Sequence, residues 1–118
     1  MAKIKIIGLD HIVLNVGDID RSLMFYTEVL GLTGERVDEF RSGKVGFPSV
    51  RINAGTIIDL FPRKDREDNS TAKKVDGNLN HFCLVVGAEN FVAVLDDLQQ
   101  RKITIREGPV SRWGAQGQ

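Results

Sequence analysis

The sequence predicts an α+β fold made of two βαβββ modules, of which the second lacks its last one or two strands. Two observations predict this fold. The phrases LDHIVLNVG (residues 9–17) and LNHFCLVVG (residues 79–87) align without a gap at an offset of 70 residues, and each carries one of the only two histidines in the chain. With 118 residues the chain is also too short for two separate cores, so the two copies are expected to share one.

The first module, about residues 6–62, begins with a strand over residues 8–16. Along this strand Ile12, Leu14 and Val16 alternate onto one face, which leaves His11 on the other. Asp18 is a residue type that caps helices, and Gly31 stands where the next helix should end. The apolar side chains of that helix repeat at three- and four-residue steps, at Ile19, Leu23, Tyr26 and Leu30.

Three more strands are expected in the first module and two in the second. Turn residues separate the first three, at about 35–41, 45–53 and 56–61. A polar linker, about residues 63–78, leads to the second module at about 79–118. That module should contain a strand at 79–87, a helix at about 89–101 and a strand at about 103–107. A copy of the strand at 56–61 would lie beyond Gln118.

Composition limits the partners that are expected. Sixteen basic and sixteen acidic residues cancel, and no element carries a stripe of basic side chains, so nucleic acid is not a predicted partner. The chain shows no signal peptide and no apolar run that could span a membrane. A single cysteine, Cys83, excludes an internal disulfide and suits a reducing compartment. We expect a cytoplasmic protein that binds a small molecule.

A third residue joins the two histidines as a candidate metal ligand. Ile58 and Leu60 are expected to face the helix, so Asp59 should point to the same side as His11 and His81. Two imidazoles and a carboxylate suit Zn, Ni, Co, Mn or Fe, and their type does not choose among these ions. The alternative is that the histidines are hydrogen-bonded structural residues.

Four motifs resemble those of the vicinal oxygen chelate superfamily. They are LDHIVLNV (9–16), SLMFYTEVLGL (22–32), LNH (79–81) and EGPV (107–110). This superfamily includes glyoxalases, extradiol dioxygenases and bleomycin-binding proteins. The resemblance covers essentially the whole chain, and it implies paired βαβββ modules around a divalent metal that chelates two adjacent oxygens of the substrate.

The resemblance also implies roles for individual residues. His11 and His81 match the metal ligands of the two first strands, and Asp59 lies where many members have a glutamate ligand. The fourth ligand of the family would lie past Gln118, which leaves three protein ligands and a position for water or substrate. Asn15 stands where glutathione-dependent members carry an arginine, and an amide cannot replace a guanidinium, so glutathione dependence is not expected.

The expected function is that of a metal-dependent lyase, isomerase or dioxygenase. The alternative is a non-catalytic protein that binds a drug or another small molecule, as bleomycin-resistance proteins do. Exposed sheet edges left by the missing strands favour a homodimer. The substrate pocket is expected to include Asn15, Arg51, Phe61, Cys83 and Trp113, where Arg51 would meet an anionic substrate.

Overall fold

The computed structural model describes residues 4–63 and 77–118. Its five strands are β1 (Ile6–Val16), β2 (Thr33–Glu35), β3 (Ser49–Asn53), β4 (Thr56–Pro62) and β5 (Leu79–Val86). Its helices are α1 (Ile19–Met24), which continues as a π-helical turn (Phe25–Val29), α2 (Val37–Arg41) and α3 (Phe91–Gln100), which follows a 3-10 turn (Ala88–Asn90). None of the described helices is long and apolar enough to cross a membrane.

All five strands form one mixed sheet in the order β2-β3-β4-β1-β5. Strand β1 runs parallel to β4 on one side and antiparallel to β5 on the other. Val13 of β1 pairs with Asp59 of β4 and with His81 of β5. His11 lies two residues before Val13 and therefore on the same face. The sheet register thus brings the three predicted ligands together on neighbouring strands.

The other face of the sheet packs against α1. Leu23 of α1 forms a buried cluster with Val50 and Leu60, and partly buried Ile58 packs against it. The predicted orientation of Ile58 and Leu60 toward the helix is confirmed. The predicted cap is also confirmed, since an oxygen of Asp18 accepts a hydrogen bond of 3.0 Å from the backbone N–H of Arg21.

The predicted strand at 35–41 is wrong. Strand β2 ends at Glu35, and Arg36 adopts a left-handed backbone (φ 61°, ψ 22°) that turns the chain into helix α2. Asp38 and Glu39 lie in the first turn of α2, where negative charge stabilises a helix. The strand predicted at 45–53 is shorter, because only Ser49–Asn53 pairs with neighbouring strands.

The strand predicted at 103–107 does not form either. This stretch of the chain pairs with no neighbouring strand, and Ile103 and Ile105 are 50% and 43% exposed. Alternating apolar residues need a strand beside them to satisfy their backbone groups, and the described sheet ends at β5. Of the elements predicted for the second module, the described structure contains the strand (β5) and the helix (α3). Most of the predicted linker, residues 64–76, lies outside the described residues.

Candidate metal centre

A cavity of about 810 Å³ lies on the face of the sheet opposite α1. All three predicted metal ligands line it, together with predicted pocket residues Phe61, Cys83 and Trp113. Further aromatic and cationic side chains line the same cavity, at Phe47, Phe82, Arg36 and Arg112. The cavity thus combines metal-ligating side chains with an aromatic wall.

The two histidine rings lie side by side and are each held by the preceding residue. Their centroids are 5.6 Å apart, and their planes are nearly perpendicular, at 81°. His11 Nδ1 donates to Asp10 Oδ2 at 2.6 Å, and His81 Nδ1 donates to Asn80 Oδ1 at 2.8 Å. Hydrogen bonds at Nδ1 fix the tautomer and leave Nε2 of each ring as a free ligand atom.

Asp59 is almost completely buried, with 2% of its surface exposed. The Ser49 hydroxyl donates to Asp59 Oδ1 at 2.5 Å, and the Ser49 oxygen in turn accepts from Trp113 Nε1 at 3.1 Å. Burial raises the pKa of the Asp59 carboxyl, although the Ser49 hydrogen bond and nearby cationic groups act in the opposite direction. The indole of Trp113 therefore helps to hold the acid in place through a serine.

Residues 113–115 are distant from the site in sequence but form hydrogen bonds with residues in it. The backbone N–H of Ala115 donates to Asp10 Oδ2 at 3.0 Å, the same oxygen that accepts from His11. Gly114 passes so close to Asp10 that a Cβ there would lie 2.4 Å from Oδ2. A side chain at this position would therefore require the Asp10 carboxylate to move.

Two residues predicted for the pocket, Asn15 and Arg51, are not among those that line the cavity. Asn15 accepts a hydrogen bond of 2.9 Å from Asn80, the residue that orients His81. Arg51 forms an ion pair of 2.5 Å with Glu35 and donates to the Ala115 carbonyl at 3.1 Å. Arg51 therefore joins β3 to β2 and to the segment that contains Trp113.

A second group of potential ligands shares one histidine with the predicted set. Ligand atoms of Asp10, His11 and Cys83 all lie within 4.8 Å of one another. Sequence reasoning missed Asp10, although the repeated phrase carried a signal, because an acid or its amide precedes both histidines. Arg36 was missed as well, since it lies in the stretch that the sequence predicted to be a strand.

Comparison with known proteins identifies the family. The model of the Glyoxalase/Bleomycin resistance protein/Dioxygenase superfamily matches residues 8–118. The chain belongs to this superfamily. The predicted resemblance and the predicted glyoxalase-like α+β fold are thereby confirmed.

Three known proteins are similar over most of this chain. The virulence protein STM3117 of Salmonella typhimurium is 29% identical over 93% of this chain, and a probable lactoylglutathione lyase of Synechocystis is 27% identical over 85%. The glyoxalase domain-containing protein RDO1 of Mycosarcoma maydis is 28% identical over 98%. The matches span 70%, 76% and 60% of these relatives' own lengths, respectively.

Two solved structures are also similar to this chain. An integron cassette protein from the mobile metagenome of V. cholerae is 29% identical, with a TM-score of 0.42, over 96% of this chain and 81% of that one. A glyoxalase/dioxygenase from Nostoc punctiforme is 25% identical, with a TM-score of 0.38, over 86% of this chain and 75% of that one.

Members of the Glyoxalase/Bleomycin resistance protein/Dioxygenase superfamily typically bind a divalent metal ion. Among the described residues, Asp10, His11 and Cys83 form the group whose ligand atoms are close enough to share one, and the predicted set of His11, Asp59 and His81 lines the same cavity. Burial and the neighbouring His11 lower the pKa of His81. The lower pKa favours the neutral imidazole, which is the form of histidine that binds metals. The buried carboxylate of Asp59 would lose its desolvation penalty next to a cation. In contrast, burial and the charge of Asp10 raise the pKa of the Cys83 thiol, which favours the protonated form.

Replacing Asp59 by asparagine is expected to stabilise the metal-free protein at pH 7 by on the order of 1 kcal/mol. The pKa of Asp59 in the native state is raised above its value in the unfolded state, which is about 3.9. The side chain therefore contributes its full stability below that pH, where it is protonated. This contribution to the free energy of unfolding is lost as the pH rises through the native pKa. Asparagine keeps an acceptor for Ser49 and removes the buried charge. Urea unfolding at pH 7 and near pH 3 measures the difference.

Asp97→Asn is the matched control for this change. Asp97 is also buried, but its carboxylate accepts from Arg101 Nε at 3.0 Å on the surface of α3, so its amide should lose an ion pair and gain nothing. Near pH 3 the Asp59 carboxyl is protonated and therefore neutral, as is the amide that replaces it. The gain in stability from Asp59→Asn should disappear at that pH. An equal gain at both pH values would contradict a charge effect.

Proposed function

We propose that this chain forms the metal site of an enzyme of the lyase, isomerase or dioxygenase type, acting on a small molecule with two adjacent oxygen atoms. One observation carries the proposal. His11 and His81 come from strands 70 residues apart, yet their rings are 5.6 Å apart and each is oriented through Nδ1. Two imidazoles oriented in this way are typical of metal ligands.

His11, His81 and Asp59 would hold the ion, and the rest of the cavity would hold the substrate. A bound divalent ion would supply Lewis acidity to the two chelated oxygens. Ser49 fixes the Asp59 carboxylate by its hydrogen bond of 2.5 Å, and Asp10 and Asn80 fix the imidazoles. The aromatic side chains of the cavity would orient the organic part of the substrate and exclude water from it.

Asp10 is better placed to orient His11 than to bind the ion itself. Its Oδ2 already accepts from His11 Nδ1 and from the Ala115 backbone, and the bond to His11 would have to break for a metal to lie between Asp10 and His11 at Nδ1. A carboxylate that holds a metal-binding histidine through Nδ1 is a recurring arrangement. The Asp10, His11 and Cys83 group remains the competing ligand set.

The other candidate function is a binding protein without a metal. The aromatic lining of the cavity, from Phe47, Phe61, Phe82 and Trp113, favours this function, because such walls bind apolar drugs through contact area alone. If the protein is the proposed enzyme, removal of the metal should weaken ligand binding. If it binds ligands without a metal, removal should leave the affinity unchanged.

Loading the protein with metal is expected to create a site for a bidentate oxygen ligand. The chain is stripped with a chelator and then dialysed against Zn²⁺, Ni²⁺, Co²⁺, Mn²⁺ or, without oxygen, Fe²⁺. We expect about one ion per chain for at least one metal, and at least tenfold tighter binding of acetohydroxamate to the loaded protein than to the stripped protein. Titration calorimetry measures both. Retention of no metal, or equal acetohydroxamate affinity in both forms, would contradict the enzyme proposal.

We also propose a homodimer. Strand β5 lies at the edge of the described sheet, and Leu79, Phe82 and Leu84 on it are 57%, 56% and 49% exposed. An apolar edge strand of this kind usually pairs with another chain or is covered by one. A second copy would cover β5 and, with it, the side of the cavity that His81 lines.

A further inference from the structure

We infer that Arg36 binds an anionic group of the substrate, a carboxylate or phosphate oxyanion that the substrate carries besides its two chelating oxygens. The inference rests on the proposed function, because it specifies the class of substrate for the same cavity. It concerns a residue outside the metal ligand set. Arg36 lines the cavity together with His11, Asp59 and His81.

Two aromatic rings contact the guanidinium of Arg36. Its central carbon lies 4.7 Å from the centre of the Phe47 ring and 4.4 Å from that of Trp113. The N–H donors of a guanidinium all lie in its plane, so stacked rings stabilise the faces and leave the edges for an acceptor. One edge atom, Nη2, donates to the Phe47 carbonyl at 3.3 Å. The guanidinium fork suits the paired oxygens of a carboxylate or a phosphate.

The charge of Arg36 has no carboxylate partner in the part of the chain that the structure describes. None of the ion pairs within 4.0 Å among residues 4–63 and 77–118 includes it, and its buried Nε has no hydrogen-bond partner there. The other arginine of the cavity, Arg112, is paired with Glu107. The charge of Arg36 also acts on the buried Asp59 carboxyl, which lies within its range but forms no ion pair with it. A cation that is partly shielded from water and forms no ion pair attracts an anion into the cavity.

The backbone of Arg36 supports a functional role. Its left-handed conformation (φ 61°) is uncommon for residues other than glycine, asparagine and aspartate. Strain of this kind persists where the surrounding structure enforces it, and it is frequent at ligand sites. Here it occurs at the junction of β2 and α2, from which the side chain extends between Phe47 and Trp113.

The test uses matched pairs of hydroxamates, which chelate metals through two adjacent oxygens. Butyrohydroxamate and pentanohydroxamate end in a methyl group, whereas succinic and glutaric monohydroxamates of the same chain lengths end in a carboxylate. Titration calorimetry on the metal-loaded wild-type protein gives the ratio of affinities within each pair. We expect the carboxylate to bind at least tenfold more tightly than the methyl compound in at least one pair.

Variants of the two cavity arginines then locate the effect. Arg36→Met should reduce the ratio to less than threefold while the methyl compounds bind as they do to wild type. Arg112→Met is the matched control and should keep the wild-type ratio, because its charge is already neutralised by Glu107. Arg36→Lys should keep part of the preference, since it retains the charge without the planar fork.

The outcomes separate this inference from the proposed function. If methyl hydroxamates bind the metal-loaded and stripped proteins equally well, the proposed function fails, and this inference fails with it. If they bind only the loaded protein but wild type shows no preference for the carboxylate, the assignment of Arg36 alone is overturned. A preference that survives in Arg36→Met would overturn it too.

Discussion

Replacing His81 by alanine is expected to lower the affinity for the divalent ion at least 100-fold, whereas Cys83→Ser should change it less than threefold. The two positions distinguish the ligand sets that share His11. In the proposed set, two imidazoles whose centroids are 5.6 Å apart would both hold the ion, so the loss of one would remove a direct bond to the metal. In the competing set of Asp10, His11 and Cys83, the thiolate is the strongest ligand.

Competition with a metal-sensitive dye measures both affinities on proteins stripped in the same way. Cys83→Ser is a close match in size and keeps a polar atom on the cavity wall, so it should leave the fold intact. Circular dichroism of the two stripped variants checks that each is folded before metal is added. A large loss in Cys83→Ser with little change in His81→Ala would assign the ion to the competing set.

Replacing Gly114 by alanine is expected to weaken metal binding 10- to 100-fold without touching any proposed ligand. The added Cβ would lie 2.4 Å from Asp10 Oδ2, so the carboxylate has to move. Its movement would break the bond of 2.6 Å to His11 and the bond of 3.0 Å to the Ala115 backbone. Loss of a carboxylate that orients a metal-binding histidine typically has an effect of this size.

Gly17→Ala is the control for Gly114→Ala. No atom lies within 4 Å of a Cβ built at Gly17, and its backbone needs no positive φ, so the substitution should leave metal affinity unchanged. The measurement is again competition with a metal-sensitive dye. Metal affinity in Gly114→Ala equal to that of wild type would show that Asp10 does not orient a ligand.

The sequence allowed the faces of the central strands to be predicted. Alternation has a period of two residues, so the apolar positions Ile58 and Leu60 determine where Asp59 points. The repeated phrase did the same for His11 and His81. These three side chains line one cavity, as predicted, and their role as metal ligands stays a prediction. The cap at Asp18 was also predictable, because it depends on bonds within one helical turn.

Contacts between distant segments were not predictable from local patterns. The side chain of Arg36 contacts the rings of Phe47 and of Trp113, and Trp113 lies 77 positions further along the chain than Arg36. The same holds for Arg51, whose position in a strand gave no sign of its bond to Ala115. The apolar alternation at 103–107 was misleading, since alternation predicts a strand only where a neighbouring strand is present.

The bond between Asp10 and Ala115 joins residues 105 positions apart and also determines how His11 is held. Closing so long a loop has an entropic cost, which grows only slowly with the length of the loop. Strand β1 forms only when β4 and β5 lie beside it, and the orientation of His11 additionally requires residues 113–115 to be in place. Capture of a metal would then occur as a late event in folding, so that a chain still incompletely folded would hold its ion poorly.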